Sequence, residues 1–128
     1  MIRANTLQEL FDVAVLLSTQ PMPPGPRVGV VTNAGGPGIL LADTGETHGL
    51  VLPELTPETQ AALRTVLPPQ AGVANPVDMI AAATPAQYAQ TIELVGADPT
   101  IDALVVIYIP PLVTDPVAIA QAIAQGVG

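Results

Sequence analysis

The residues best suited to chemistry lie in the run Val28-Gly29-Val30-Val31-Thr32-Asn33-Ala34-Gly35-Gly36-Pro37-Gly38-Ile39-Leu40-Leu41. Here an apolar, β-branched stretch passes through a glycine-dense turn directly into a helical pattern. Such a turn leaves the first N–H groups of the helix aimed above the strand end. Together with the positive end of the helix dipole, they attract phosphate or carboxylate. Asn33-Ala34-Gly35-Gly36-Pro37-Gly38 lacks the G-x-G-x-x-G spacing of a dinucleotide turn, and no acidic ribose ligand follows at a strand end. It also lacks the Lys-Ser/Thr of a nucleoside-triphosphate loop. Two readings stand for the bare loop: a backbone anion cradle, or a tight turn that uses glycine for its geometry.

Three other places carry polar residues at punctuated positions. Asn75-Pro76-Val77-Asp78 reads as a turn opener followed by a carboxylate able to cap local N–H groups or to hold a neighbouring loop. Pro110-Pro111-Leu112-Val113-Thr114-Asp115 is a stiff passage into a helix, with Asp115 as its N-cap or with a second helix start aimed at the same space as the first. His48, the single histidine, falls at a predicted helix end, where a cation complements the dipole, and is read as structural.

Composition removes whole classes of function. The net charge is −8, lysine is absent, and Arg3, Arg27 and Arg64 are the fixed cations. Nucleic-acid binding needs a basic surface and is not expected. Schiff-base chemistry and lysine-clamped triphosphates fall with the lysines. The absence of cysteine excludes disulfides and thiolate nucleophiles, and one histidine without a carboxylate cluster gives no zinc pattern. No apolar run approaches the roughly 20 residues of a membrane span, and the first residues lack a signal-peptide pattern, so a cytoplasmic protein is expected.

The elements that must position these residues are legible as alternating helices and strands. Thr6-Leu7-Gln8-Glu9 opens a helix with Leu7, Leu10, Phe11, Ala14 and Leu17 on one face. Pro21-Met22-Pro23-Pro24-Gly25-Pro26 then forms a stiff connector. Residues 1–26 are thus expected to be a helical arm and linker, and 27–128 the domain proper. Strands are expected at Arg27–Thr32, Leu50–Leu52 and Ala103–Ile109, with a weaker one in Val73–Val77. Helices are expected from Pro37 to about His48, with Gly49 just beyond, and then after Thr56-Pro57, Thr84-Pro85 and Asp115-Pro116. The pattern implies an α/β, flavodoxin-like three-layer sandwich with a mainly parallel sheet of about four strands. In such sheets ligands sit beyond the carboxyl ends of the strands. Asn33–Gly38, Asn75–Ile80 and Pro110–Asp115 all fall there.

The segments Arg27–Gly38 (RVGVVTNAGGPG), Pro53-Glu54-Leu55, Leu67-Pro68-Pro69, Asn75-Pro76-Val77-Asp78, Asp98-Pro99 and Thr114-Asp115-Pro116, in that order, resemble the nucleoside-diphosphate-forming acyl-CoA synthetases. These include ADP-forming acetate–CoA ligases and are related to succinyl-CoA synthetase. The resemblance implies the second flavodoxin-like (ligase-CoA) domain of a larger enzyme. Its partners would be a CoA-binding domain, a phosphohistidine domain and an ATP-grasp module, and its substrates a carboxylic acid and its acyl-CoA. CoA and ATP/ADP with Mg would serve the parent enzyme, with none held tightly by this domain alone. The reaction implied is reversible: acyl-CoA, nucleoside diphosphate and phosphate yield the acid, CoA and nucleoside triphosphate, through an acyl phosphate and a phosphohistidine.

By motif, the resemblance assigns Asn33 to the acid and the loop Ala34, Gly35, Gly36 and Gly38 to the phosphate. A second helix start at Leu112, Val113 and Thr114 is assigned to the phosphoryl group. Where the relatives carry paired glycines, this chain has Pro110-Pro111, which removes N–H donors. The phosphorylated histidine falls in a preceding domain, and His48 does not match it. Met1–Thr6 reads as a cut into a linker, so the chain by itself is expected to be inactive. The rival readings are a non-catalytic interaction or scaffold domain of a larger CoA-ligase or acetyltransferase protein, a phosphoacceptor signalling domain, which would need clustered carboxylates and a lysine that this chain lacks, and a flavin carrier. The flavin carrier is disfavoured because Phe11, Tyr88 and Tyr108 lie outside the site loops.

Overall fold

The computed structural model describes residues 2–111 and 115–126. Its elements are α1 (Leu7–Thr19), β1 (Val28–Thr32), α2 (Gly35–Thr47), α3 (Pro57–Val66), β2 (Val77–Asp78), α4 (Pro85–Gly96), β3 (Ala103–Ile107) and α5 (Pro116–Gly126). The strands form one sheet in the order β2-β1-β3. Both pairings are parallel, β1 matching β3 from Val28↔Ala103 to Thr32↔Ile107 and β2 at Val31↔Val77 and Thr32↔Asp78. Every residue of β1 is buried, as a central parallel strand requires.

Alternation along β1 divides the molecule. Val31 joins a core with Leu63 of α3, Tyr88, Ile92 and Val95 of α4 and Ile119 of α5. Thr32 points to the opposite face, toward α2. The result is the expected α/β sandwich built on a parallel sheet, although with three strands among the described residues. The expected strand at Leu50–Leu52 is reduced to a single bridge, Arg27↔Val51, made by Val28 N–H to Val51 O and Val51 N–H to Pro26 O. Pro53 follows at once and lacks the donor that a longer ladder needs.

Local signals explain most boundaries. Thr6, Thr56 and Thr84 each accept a hydrogen bond from the backbone N–H three residues on, and Thr84 and Gln87 complete a capping box. Glu9 reaches Asn5 N–H rather than Thr6 N–H, so the first cap is one-sided. Gly49 takes φ +83° just beyond α2. Its N–H bonds Glu46 O, and that of Leu50 bonds Gly45 O, the two bonds of a Schellman ending. Two further corrections concern lengths. α2 starts at Gly35, two residues before Pro37, so the glycines form its first turn, and β3 ends at Ile107 instead of Ile109. Among the described residues no helix is long and apolar enough to cross a membrane.

Candidate functional site at the carboxyl ends of the strands

The parallel register sets Thr32 between Asp78 and Ile107, so three chain exits converge at one end of the sheet. Thr32 is fully buried, and its hydroxyl accepts from Ala34 N–H at 3.0 Å and donates to Ala34 O at 2.9 Å. That small ring turns the chain from β1 into α2. Ala34 then serves as N-cap without a side-chain hydrogen bond. The first N–H groups of any α-helix have no intrahelical partner, and Pro37 at the third position has none to offer. Gly35 and Gly36 therefore present the donors at the start of α2, and Gly36 is exposed.

Asn33 is 4 % exposed, and its amide is engaged within the fold. Its Nδ2 donates to Ile109 O at 2.8 Å, and its Oδ1 accepts from Ile109 N–H at 2.9 Å. This reciprocal pair holds the loop after β3 against the end of β1, much as a neighbouring strand would. Asn75 performs the same service on the other side, accepting from Val30 N–H and donating to Val28 O and Pro53 O. The Asn75-Pro76 peptide bond is cis.

Asp78 gives the site its charge. Its Oδ1 accepts from Ile80 N–H at 3.0 Å, which holds Ile80 at φ +61°, a left-handed conformation costly for a β-branched residue. Its Oδ2 lies 2.7 Å from where a Cβ at Gly35 would stand, so a side chain at position 35 would displace the carboxylate. The carboxylate thus rests against the start of α2, at the positive end of the dipole. Beneath it, fully buried Tyr88 donates to Ile107 O at 3.3 Å and meets Tyr108 edge-on, with ring centroids 5.7 Å apart. Burial pushes the Tyr88 phenol well above its ordinary range, with Tyr108 and Asp78 acting in the same direction.

Of the residues singled out from sequence, Asn33, Ala34, Gly35, Gly36 and Gly38 come together here, while Leu112, Val113 and Thr114 lie outside the described residues. Asp115 caps α5 through Oδ1, accepting from Val117 N–H at 2.9 Å. His48 is remote, at the far end of α2, with Nδ1 2.8 Å from Thr44 O. Sequence reasoning missed the contact between Asp78 and Gly35. The usable signal was the pair of short apolar runs ending in Thr32 and Asp78, which places the two side by side once they pair in parallel.

The Ligase-CoA domain family matches residues 28–128. Acetate–CoA ligase (ADP-forming) II subunit alpha of Pyrococcus furiosus is 47 % identical over 108 residues, covering 84 % of this chain and 23 % of that protein. The crystal structure of PH0766 from Pyrococcus horikoshii OT3 superposes with a TM-score of 0.89 at 42 % identity, covering 97 % of this chain and 29 % of that one. The dinucleotide forming acetyl-coenzyme A synthetase 1 of Ca. Korarchaeum cryptofilum, in complex with phosphate and ADP, superposes at 0.86 and 33 % identity, over 97 % of this chain and 27 % of that one. The chain thus spans less than a third of the length of these relatives.

Proposed function

This chain belongs to the Ligase-CoA domain family, and from that premise we propose that it is the module of an ADP-forming acyl-CoA synthetase that supplies one wall of the acyl-phosphate and phosphohistidine site. The observation that carries this reading is the start of α2, free of a side-chain cap, at the carboxyl end of a parallel sheet. Backbone donors there would meet the phosphoryl or carboxylate oxygens as charge moves between acyl phosphate and histidine. They are fixed before the reaction, so they stabilise that charge without reorganisation. Asn33 supports the wall by holding the loop after β3 in place.

The strand-end residues do not fit a nucleoside diphosphate or its magnesium ion. Arg27 is spent on Asp102 at the opposite end of the sheet, and the two carboxylates at the strand ends, Asp78 and Asp115, are each engaged by backbone N–H groups. On this reading the nucleotide, CoA and metal belong to other modules of the parent enzyme, and the isolated chain does not turn over.

The test inserts residues 28–128 in place of the matching segment of the Pyrococcus furiosus subunit. ATP formed from acetyl-CoA, ADP and phosphate is then measured in the assembled enzyme. The hybrid is expected to be active, and Gly36→Leu to lower kcat by about 10-fold or more. A Cβ at Gly36 meets nothing within 4 Å, so a side chain there starts in open space, and an unchanged melting temperature is expected to show that the fold is intact. Undiminished activity in Gly36→Leu would favour the scaffold reading. Asn33→Ala is the poorer test, because it also releases Ile109.

A further inference from the structure

Ile80 holds a backbone conformation that its own side chain makes costly. At φ +61° it lies in the left-handed region, where a β-branched residue is strained and glycine is at ease. Among the described residues no other non-glycine residue lies there. The backbone around it is pinned at three points. Met79 N–H donates to Thr32 O at 2.8 Å, Ile80 N–H to Asp78 Oδ1 at 3.0 Å, and Ala83 N–H to Ile80 O at 3.2 Å. Glycine would make the same three bonds with less strain, so what isoleucine adds is its side chain. The core does not account for it. Val77, Met79 and Ala83 join the buried cluster, whereas Ile80 is half-buried and stands outside it. Strain that the surroundings enforce, with no core packing to compensate it, points to function.

The place of Ile80 narrows that function. It follows directly on the carboxyl end of β2, two residues past Asp78, whose Oδ2 rests against the start of α2. The polar side chains at this end are already engaged: Thr32 with Ala34, Asn33 with Ile109, and Asp78 with Ile80 itself. Ile80 adds an aliphatic surface beside backbone donors suited to oxygen. A carboxylic acid has a part for each, oxygens for the donors and hydrocarbon for an apolar wall. We propose that Ile80 determines specificity for the acid, meeting its hydrocarbon part and limiting it to a short aliphatic chain. The proposal rests on the module reading above for where the acid lies. A β-branched side chain has few rotamers, and here it stands on a pinned turn, so the wall is rigid and extra methyl groups collide with it.

The test uses the hybrid subunit in the direction that consumes acid, CoA and ATP, with acetate and isovalerate compared. Ile80→Gly is expected to raise kcat/KM for isovalerate relative to acetate by about 10-fold or more, chiefly through a lower KM for the larger acid. Ile80→Val keeps the β-branch and should stay within about threefold of the parent ratio. The melting temperature of the Ile80→Gly chain should hold or rise, because glycine relieves the left-handed strain. A fall would make the side chain a packing element and overturn the proposal, as would an unchanged acid ratio. An unshifted ratio beside an impaired Gly36→Leu would overturn the role of Ile80 alone. A shifted ratio beside an unimpaired Gly36→Leu would overturn the donor role of α2 and support that of Ile80. An inactive hybrid would overturn both.

Discussion

Asp98 is 2 % exposed and accepts four hydrogen bonds, from Thr56 N–H and Oγ1 and from Thr100 N–H and Oγ1, with Thr59 bonded to the Thr56 hydroxyl. Burial alone would push its carboxyl up, but these hydrogen bonds outweigh burial and hold it well below the usual carboxylate range. A native pKa below the unfolded value of about 3.9 adds stability that is fully present above that value and lost as the pH falls toward the native one. Thermal melts should therefore show a stability loss setting in below about pH 4. Asp98→Asn should melt lower at pH 7 and show a flatter acid limb, and an unchanged acid limb would contradict this account. Thr100, two residues on, was within sight of a sequence reading, but Asp98-Pro99 reads as a loop and Thr56 lies 42 residues upstream. Asn33 is similar: its position before the glycines was evident, but its bond to Ile109 depends on a register that one segment does not reveal.

The elements whose ends are set by neighbours in sequence were legible. Thr84-Pro85-Ala86-Gln87 specifies its own helix start, and Gly49 its own helix end. Elements whose extent depends on pairing were not. Leu50-Leu52 has strand composition but meets β1 at one bridge, and β2 is two residues long because Asn75 takes the positions on β1 that a longer β2 would use. Within α4, Thr91 is fully buried and its hydroxyl has no hydrogen-bond partner among the described residues. Thr91→Val keeps the β-branched shape and removes the stranded polar atom, so urea denaturation should show a gain of about 1 kcal/mol. A loss would mean that the hydroxyl has a partner in solution.

At the scale of the molecule, α1 stands apart. It buries no residue, and Leu7 and Phe11 are 73 % and 62 % exposed. Removing residues 1–19 should therefore shift the melting temperature by no more than about 2 °C, and a larger fall would show that the helix docks on the domain. The alternating order of strands and helices made the layered fold legible from sequence. The strand count was not, because apolar content alone does not separate a bridge from a strand.

The two flanks of the sheet are unlike. On one side Asn75 closes the backbone of β1 and β2 ends after two residues, while on the other β3 pairs with no further strand among the described residues. The amide of Asn75 occupies backbone groups of β1 that strand pairing would otherwise use, so one asparagine side chain stands in for a stretch of strand.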